Sequence, residues 1–104
     1  MNNVYIMSAN RSAIGGFGGT LKNHCPVDLG TLVAKEAIER SGYEANEVEH
    51  AVFGNGIHTE PRDMYVSRVI ALQAGMDKAS AALTVNRLCG SGLQAIVSAS
   101  QIIM

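Results

Sequence analysis

The residues with the most chemistry in their type and spacing are Asn86-Arg87-Leu88-Cys89-Gly90-Ser91-Gly92-Leu93. An apolar run leads into this stretch and a helical pattern leaves it. A thiol at such a strand-to-helix elbow is presented at the tip of a sheet, as the nucleophilic serine is in hydrolases. Three physical effects converge on Cys89. The positive end of the following helix favours a thiolate over a thiol. Unpaired N–H groups of a first helical turn can stabilise an oxyanion. Gly90 and Gly92 carry no side chain, so a bulky acyl thioester can approach. The same residues also suit a buried, inert thiol packed against a helix, the usual situation of an isolated Cys. Both readings stand on the residues alone.

Other candidates are weaker. Cys25 precedes Pro26 at a helix start and reads as structural, with a Cys25–Cys89 redox pairing as a further alternative. His24, His50 and His58 have no metal-ligand spacing. His58 with Glu60 and Asp63 reads as a solvated loop rather than an ion site. The glycine-rich stretch Ile14 to Thr20 follows an apolar run, as a dinucleotide loop does. However, Gly16 and Gly18 would need a glycine at position 21, where Leu21 stands, and no Gly-Lys-Ser/Thr ending follows. It reads as backbone that bends tightly or passes close to another segment.

Positioning a thiol at an elbow requires elements on both sides of it. Val4 to Ala9 reads as a buried strand, and Arg11 to Asn23 as a long loop. Pro26 and Asp28 open a helix over about 27–41, with Leu29, Leu32, Val33, Ala37 and Ile38 on one stripe and Gly42 as its stop. Ala51 to Phe53 is a second strand. Pro61 opens a second helix, which Gly75 closes. Ala82 to Leu88 is a third strand, Cys89 to Gly92 a tight turn, and Leu93, Ile96, Val97 and Ile103 follow at helical spacing. The order β-α-β-α-β-α predicts an α/β fold, with a mixed, mostly parallel sheet covered by helices. Three helices cover such a sheet thinly. The chain also stops at Ile102-Ile103-Met104 in mid-pattern, which reads as a piece of a longer protein.

Composition excludes several classes. The 104 residues carry eight Lys and Arg against nine Asp and Glu, so no strong field draws nucleic acid, and the cations form no run. Hydrophobic residues at 47% and charged residues at 16% exclude a disordered chain. Two distant Cys make neither a disulfide framework nor a zinc site. No apolar run is long enough for a membrane span, and no secretory signal opens the chain.

At the elbow the sequence resembles a known family. Thr84 to Ala95 is similar to the active-site cysteine signature of the thiolases, the acetyl-CoA acetyltransferases and 3-ketoacyl-CoA thiolases. The likeness runs through the chain. Arg11-Ser12-Ala13-Ile14-Gly15 resembles the family's N-terminal loop, with Ser12 where Thr is usual, and Asp28-Leu29-Gly30 and Phe53-Gly54-Asn55 also fit. Thr59 to Tyr65 resembles the broad-specificity bacterial β-ketothiolases linked to polyhydroxyalkanoate synthesis, more than the acetoacetyl-specific branch.

The resemblance implies that Cys89 is the acyl-accepting nucleophile and that its backbone N–H is an oxyanion donor. It implies coenzyme A and acyl-CoA as substrates, with no covalently bound cofactor, no metal, and neither nucleic acid nor membrane as partner. It implies a cytoplasmic enzyme of fatty acid or polyhydroxyalkanoate metabolism. It also implies a homo-oligomer, dimer or tetramer, in which the strand Ala82 to Leu88 pairs with its twin. The family's later Gly-His-Pro segment, Cys-x-Gly segment and Asn- or His-Glu-Ala-Phe segment do not occur here, and Cys25 has the wrong context to supply the second Cys. Residues 1–104 are thus expected to be a partial thiolase N-terminal domain, inactive alone. The alternative is a non-catalytic thiolase-like interaction module with a buried Cys89.

Overall fold

The computed structural model describes residues 1–104. Helix α1 spans Pro26–Ser41 and strand β1 His50–Gly54. A 3₁₀ turn at Pro61–Tyr65 leads into helix α2, Val66–Gln73. Strand β2 is Ala81–Val85, and another 3₁₀ turn, Leu88–Gly90, leads into helix α3, Ser91–Ile103. The strands are parallel, with His50 opposite Ala81 and Gly54 opposite Val85. Helix α2 packs on the sheet with α1 outside it, and α3 packs against β1 and β2.

Local chemistry accounts for these limits. Pro26 at the first helical position of α1 follows Cys25, whose extended backbone forms the N-cap. Gly42 ends the helix at φ 80°, a conformation that glycine adopts without a Cβ penalty, and its N–H caps the Glu39 carbonyl. The expected second helix divides in two. Glu60 and Asp63 form a reciprocal capping box around the 3₁₀ turn, and regular α-helix begins only at Val66. Helix α3 starts at Ser91, so Ser91 and Gly92, expected in the turn, are helical.

The core lies between α2 and the sheet. Val27, Val66 and Ile70 form one cluster with Phe53 against it, and Ala51, Ala71 and Met76 form another. The fully buried Ser67 hydroxyl donates to the Leu83 carbonyl (2.7 Å) and accepts from the Phe53 N–H (3.0 Å), which ties α2 to both strands. Helices α1 and α2 cross at Gly30, where a Cβ would lie 3.0 Å from Ile70 Cγ1 and overlap its Cδ1. Gly30→Ala is therefore expected to lower stability by about 1–3 kcal/mol through overpacking. Adding Ile70→Val deletes the obstructing methyl, so the double variant should be no less stable than Gly30→Ala alone. Urea denaturation of both proteins checks this, and simple additivity of the two losses would refute the crossing argument.

One expected element is absent. Val4 to Ala9, read as a buried strand, forms no ladder with β1 or β2. It is largely exposed, with Tyr5 73% and Ile6 80% accessible. Polar side chains in it and just after it hold it instead: Ser8 Oγ donates to the Ala37 carbonyl (2.7 Å) and Asn10 Nδ2 to the Val33 carbonyl (3.1 Å), both on α1. An apolar β-branched pattern favours extended backbone, but a strand also needs a neighbour's carbonyls and N–H groups, and this segment pairs with none. The glycine-rich loop bends as expected, closing a turn from the Gly19 N–H to the Gly16 carbonyl at 2.9 Å.

Candidate active site

Cys89 lies in the short turn between β2 and α3, and its thiol is free and exposed. It opens on a pocket of about 370 Å³ lined by Gly56, Ile57, Leu88 and Cys89. The wall is almost wholly apolar, suited to an acyl chain rather than a charged group.

The elbow is held by side chains that its small size conceals in the sequence. Leu88 has φ 48°, the one non-glycine residue of the chain in the left-handed region. Such a conformation persists where the surroundings enforce it. The Leu88 N–H donates to Asn86 Oδ1 (3.0 Å), and the Leu88 carbonyl accepts from Ser91 Oγ (2.6 Å) and from the Ser91 N–H. Ser91 Oγ in turn accepts from the Arg87 N–H (2.8 Å). Asn86 Nδ2 reaches across to the Gly56 carbonyl (3.2 Å), joining the elbow to the loop after β1. The Cys89 N–H takes part in none of the chain's hydrogen bonds.

Gly54 ends β1 directly beneath this turn. A Cβ there would lie 2.5 Å from the Ser91 carbonyl carbon and 2.8 Å from Ser91 Cβ. The loop that follows is pinned by Asn55, whose N–H donates to the Val85 carbonyl (3.0 Å) and whose amide pairs with His58 Nδ1 at 3.1 Å. Neither His24, His50 nor His58 hydrogen-bonds Cys89. Cys25 lies apart, packed on the Val27–Val66–Ile70 cluster with Arg62 Nη2 3.6 Å from its sulfur. No group of three or more His, Cys, Asp or Glu is arranged to hold a metal ion. No helix is long and apolar enough to cross a membrane.

The loop between β1 and α2 differs from its expected solvated character at Asp63, which is fully buried. Asp63 Oδ2 accepts from the Thr59 N–H (2.7 Å), Thr59 Oγ1 (2.8 Å) and the Glu60 N–H (3.1 Å). Burial alone pushes this carboxyl up. The donors of Thr59 and Glu60 and the nearby His58 outweigh it and hold the carboxyl below its usual range. A carboxyl depressed by folding contributes stability above its unfolded pKa, about 3.9, and loses it as pH falls through the lower folded value. The difference in urea midpoint between wild type and Asp63→Asn should thus be constant above about pH 5 and shrink as acid is added. A difference that grows on acidification would contradict the assignment.

The architecture and the site define a class: an α/β domain that displays a cysteine where a parallel strand turns into a helix. Residues 4–104 match the family described as Thiolase, N-terminal domain, and the chain belongs to the thiolase family. It is 56% identical to Beta-ketothiolase BktB of Cupriavidus necator, over 97% of this chain and 26% of that protein. The crystal structure of the Bacillus anthracis acetyl-CoA acetyltransferase superposes with a TM-score of 0.85 at 42% identity, covering 91% of this chain and 24% of that one. Human mitochondrial 3-ketoacyl-CoA thiolase, solved in complex with CoA, superposes at 0.82 with 37% identity, over 86% of this chain and 22% of that chain. The chain spans about a quarter of the length of the curated relatives it matches.

Proposed function

We propose that this chain is the nucleophile-bearing opening of a thiolase N-terminal domain, in a CoA-dependent acyltransferase that works through an acyl-Cys89 intermediate. The observation that carries the reading is the exposed Cys89 thiol at the elbow, beside an apolar pocket and with its own N–H unpartnered. In the cleavage direction, the Cys89 thiolate attacks the ketone carbon of a 3-ketoacyl-CoA. The carbonyl oxygen takes the negative charge and the Cys89 N–H donates to it. The C–C bond then breaks, its electron pair leaves with acetyl-CoA as an enolate that takes up a proton, and the shortened acyl group remains on sulfur. The thiol of free CoA attacks this thioester, releases acyl-CoA and returns Cys89. In reverse, an acetylated Cys89 accepts the deprotonated methyl of a second acetyl-CoA. Two half-reactions through one covalent intermediate imply ping-pong kinetics.

Coenzyme A is thus a substrate, a reading supported by the CoA complex of the human relative. Proton transfer to and from the nucleophile falls to groups outside these residues, so the 104-residue chain alone is expected to be inactive. The likeness to Beta-ketothiolase BktB supports placing this chain in a β-ketothiolase; the broad-specificity branch, and a cytoplasmic role in polyhydroxyalkanoate or fatty acid metabolism, rest on the resemblance of Thr59 to Tyr65. The edge of β2 not paired with β1 supports self-association through that strand. The exposure of Cys89 favours catalysis over an interaction module with a buried thiol.

The test is peptide mass spectrometry of the protein from its complete reading frame after incubation with acetyl-CoA. One acetyl group is expected on the peptide containing Cys89, and addition of CoA should remove it. An unmodified Cys89 under these conditions overturns the reading.

A further inference from the structure

The peptide unit between Leu88 and Cys89 carries two groups with opposite fates. Its carbonyl is engaged twice, by the Ser91 hydroxyl at 2.6 Å and by the Ser91 N–H. Its N–H, that of Cys89, is engaged by nothing. The unit is planar and trans, so its C=O and N–H point in opposite directions. Holding the carbonyl toward α3 therefore holds the N–H away from α3. The other end of Leu88 is held as well: Asn86 Oδ1 accepts the Leu88 N–H at 3.0 Å, which supports the left-handed φ of 48°. Relaxed to the ordinary helical region, Leu88 would rotate this peptide and redirect the Cys89 N–H.

From this geometry we infer that Ser91 and Asn86 are positioning residues that set the direction of the Cys89 N–H, and so its alignment with the oxyanion. The inference rests on the acyl-Cys89 reading above. Neither side chain touches the reacting atoms in this role; both act through the backbone of Leu88. Ser91 is 4% exposed, which shields its bonds from competing water. Asn86 is exposed but doubly engaged, since its amide also donates to Gly56 in the pocket wall.

Two reactions at the same sulfur separate positioning from mere structural support. Transfer from acetyl-CoA passes through a tetrahedral oxyanion: the Cys89 sulfur bonds to the carbonyl carbon, and CoA leaves as its thiolate. Alkylation by iodoacetamide displaces iodide at a saturated carbon and generates no oxyanion. Both need the same thiolate. In the full-length protein, Ser91→Ala and Asn86→Ala should slow acetylation of Cys89 by about 10- to 100-fold, somewhat less than outright loss of one oxyanion donor. Alkylation of Cys89 should keep its wild-type rate. Asn86→Asp retains the acceptor for the Leu88 N–H and should restore most of the acetylation rate.

Acetylation and alkylation falling together, or acetylation unchanged in both alanine variants, would overturn the inference. Should Ser91→Ala not fold, the surface pair Asn86→Ala and Asn86→Asp decides by the same comparison. A wild-type protein that is alkylated at Cys89 but never acetylated fails the acyl-Cys89 reading itself, a result visible before any variant is made.

Discussion

Cys89→Ala in the full-length protein is expected to reduce consumption of acetoacetyl-CoA in the presence of CoA by about 10⁴-fold or more. Loss of a covalent nucleophile removes the intermediate that divides one difficult displacement into two easier ones. Nothing in the pocket can substitute, because Gly56, Ile57 and Leu88 offer no nucleophilic side chain. Cys25 cannot take over either, since it packs at the start of α1 against the Val27–Val66–Ile70 cluster. The control is Cys25→Ser, which should retain near-wild-type turnover. Cys89→Ser is informative too: a hydroxyl at this position is far less ionised than a thiol at neutral pH, so most of the loss should persist. Thermal unfolding should be nearly unchanged in all three variants, except for a small cost at half-buried Cys25. Turnover by Cys89→Ala at more than a small fraction of the wild-type rate would end the nucleophile assignment.

Gly54→Ala should impair both folding and chemistry. The atoms that crowd a Cβ at this position are the Ser91 carbonyl group and Ser91 Cβ, which belong to the backbone and first turn of α3 rather than to a flexible side-chain tip. Relief therefore requires α3 to move relative to β1, at a cost of about 1–3 kcal/mol or more. Ser91 also holds the Leu88 carbonyl and the Arg87 N–H, so the displacement reaches the elbow directly. A misplacement of about 1 Å at a reacting group costs on the order of 10²-fold in rate. Gly54→Ala should accordingly show a lower melting temperature together with Cys89 acetylation slowed about 100-fold. Gly92→Ala provides the contrast: it lies in α3 with nothing within 4 Å of an added Cβ, and its stability should be unchanged or improved. Equal stability for the two alanine variants would refute the close-approach argument.

Much of this architecture follows from local residue chemistry. Pro26 and Gly42 mark the ends of α1 because one presets a helical φ without an N–H and the other tolerates the left-handed cap. The apolar strand before Cys89 and the small residues after it mark the elbow, and the resemblance carried by Thr84 to Ala95 points to the family the chain belongs to. These features are local, so a stretch of about ten residues contains them.

Four features were decided by tertiary structure. Val4 to Ala9 has the pattern of a strand but not the pairing, which depends on backbone groups elsewhere. Asp63 reads as part of a solvated loop, and its burial depends on how the loop from Thr59 folds over it. Gly54 directly follows the strand expected at Ala51 to Phe53, whereas its constraint comes from Ser91, much later in the chain. Ser91 reads as one more small residue of the turn, yet it is the buried hydroxyl that clamps Leu88. Cys89 is legible in the sequence as the candidate nucleophile because a side-chain type at a strand–helix junction is a local fact. The direction of the Cys89 N–H is a three-dimensional fact, produced by contacts among β1, β2 and α3 that no single segment contains.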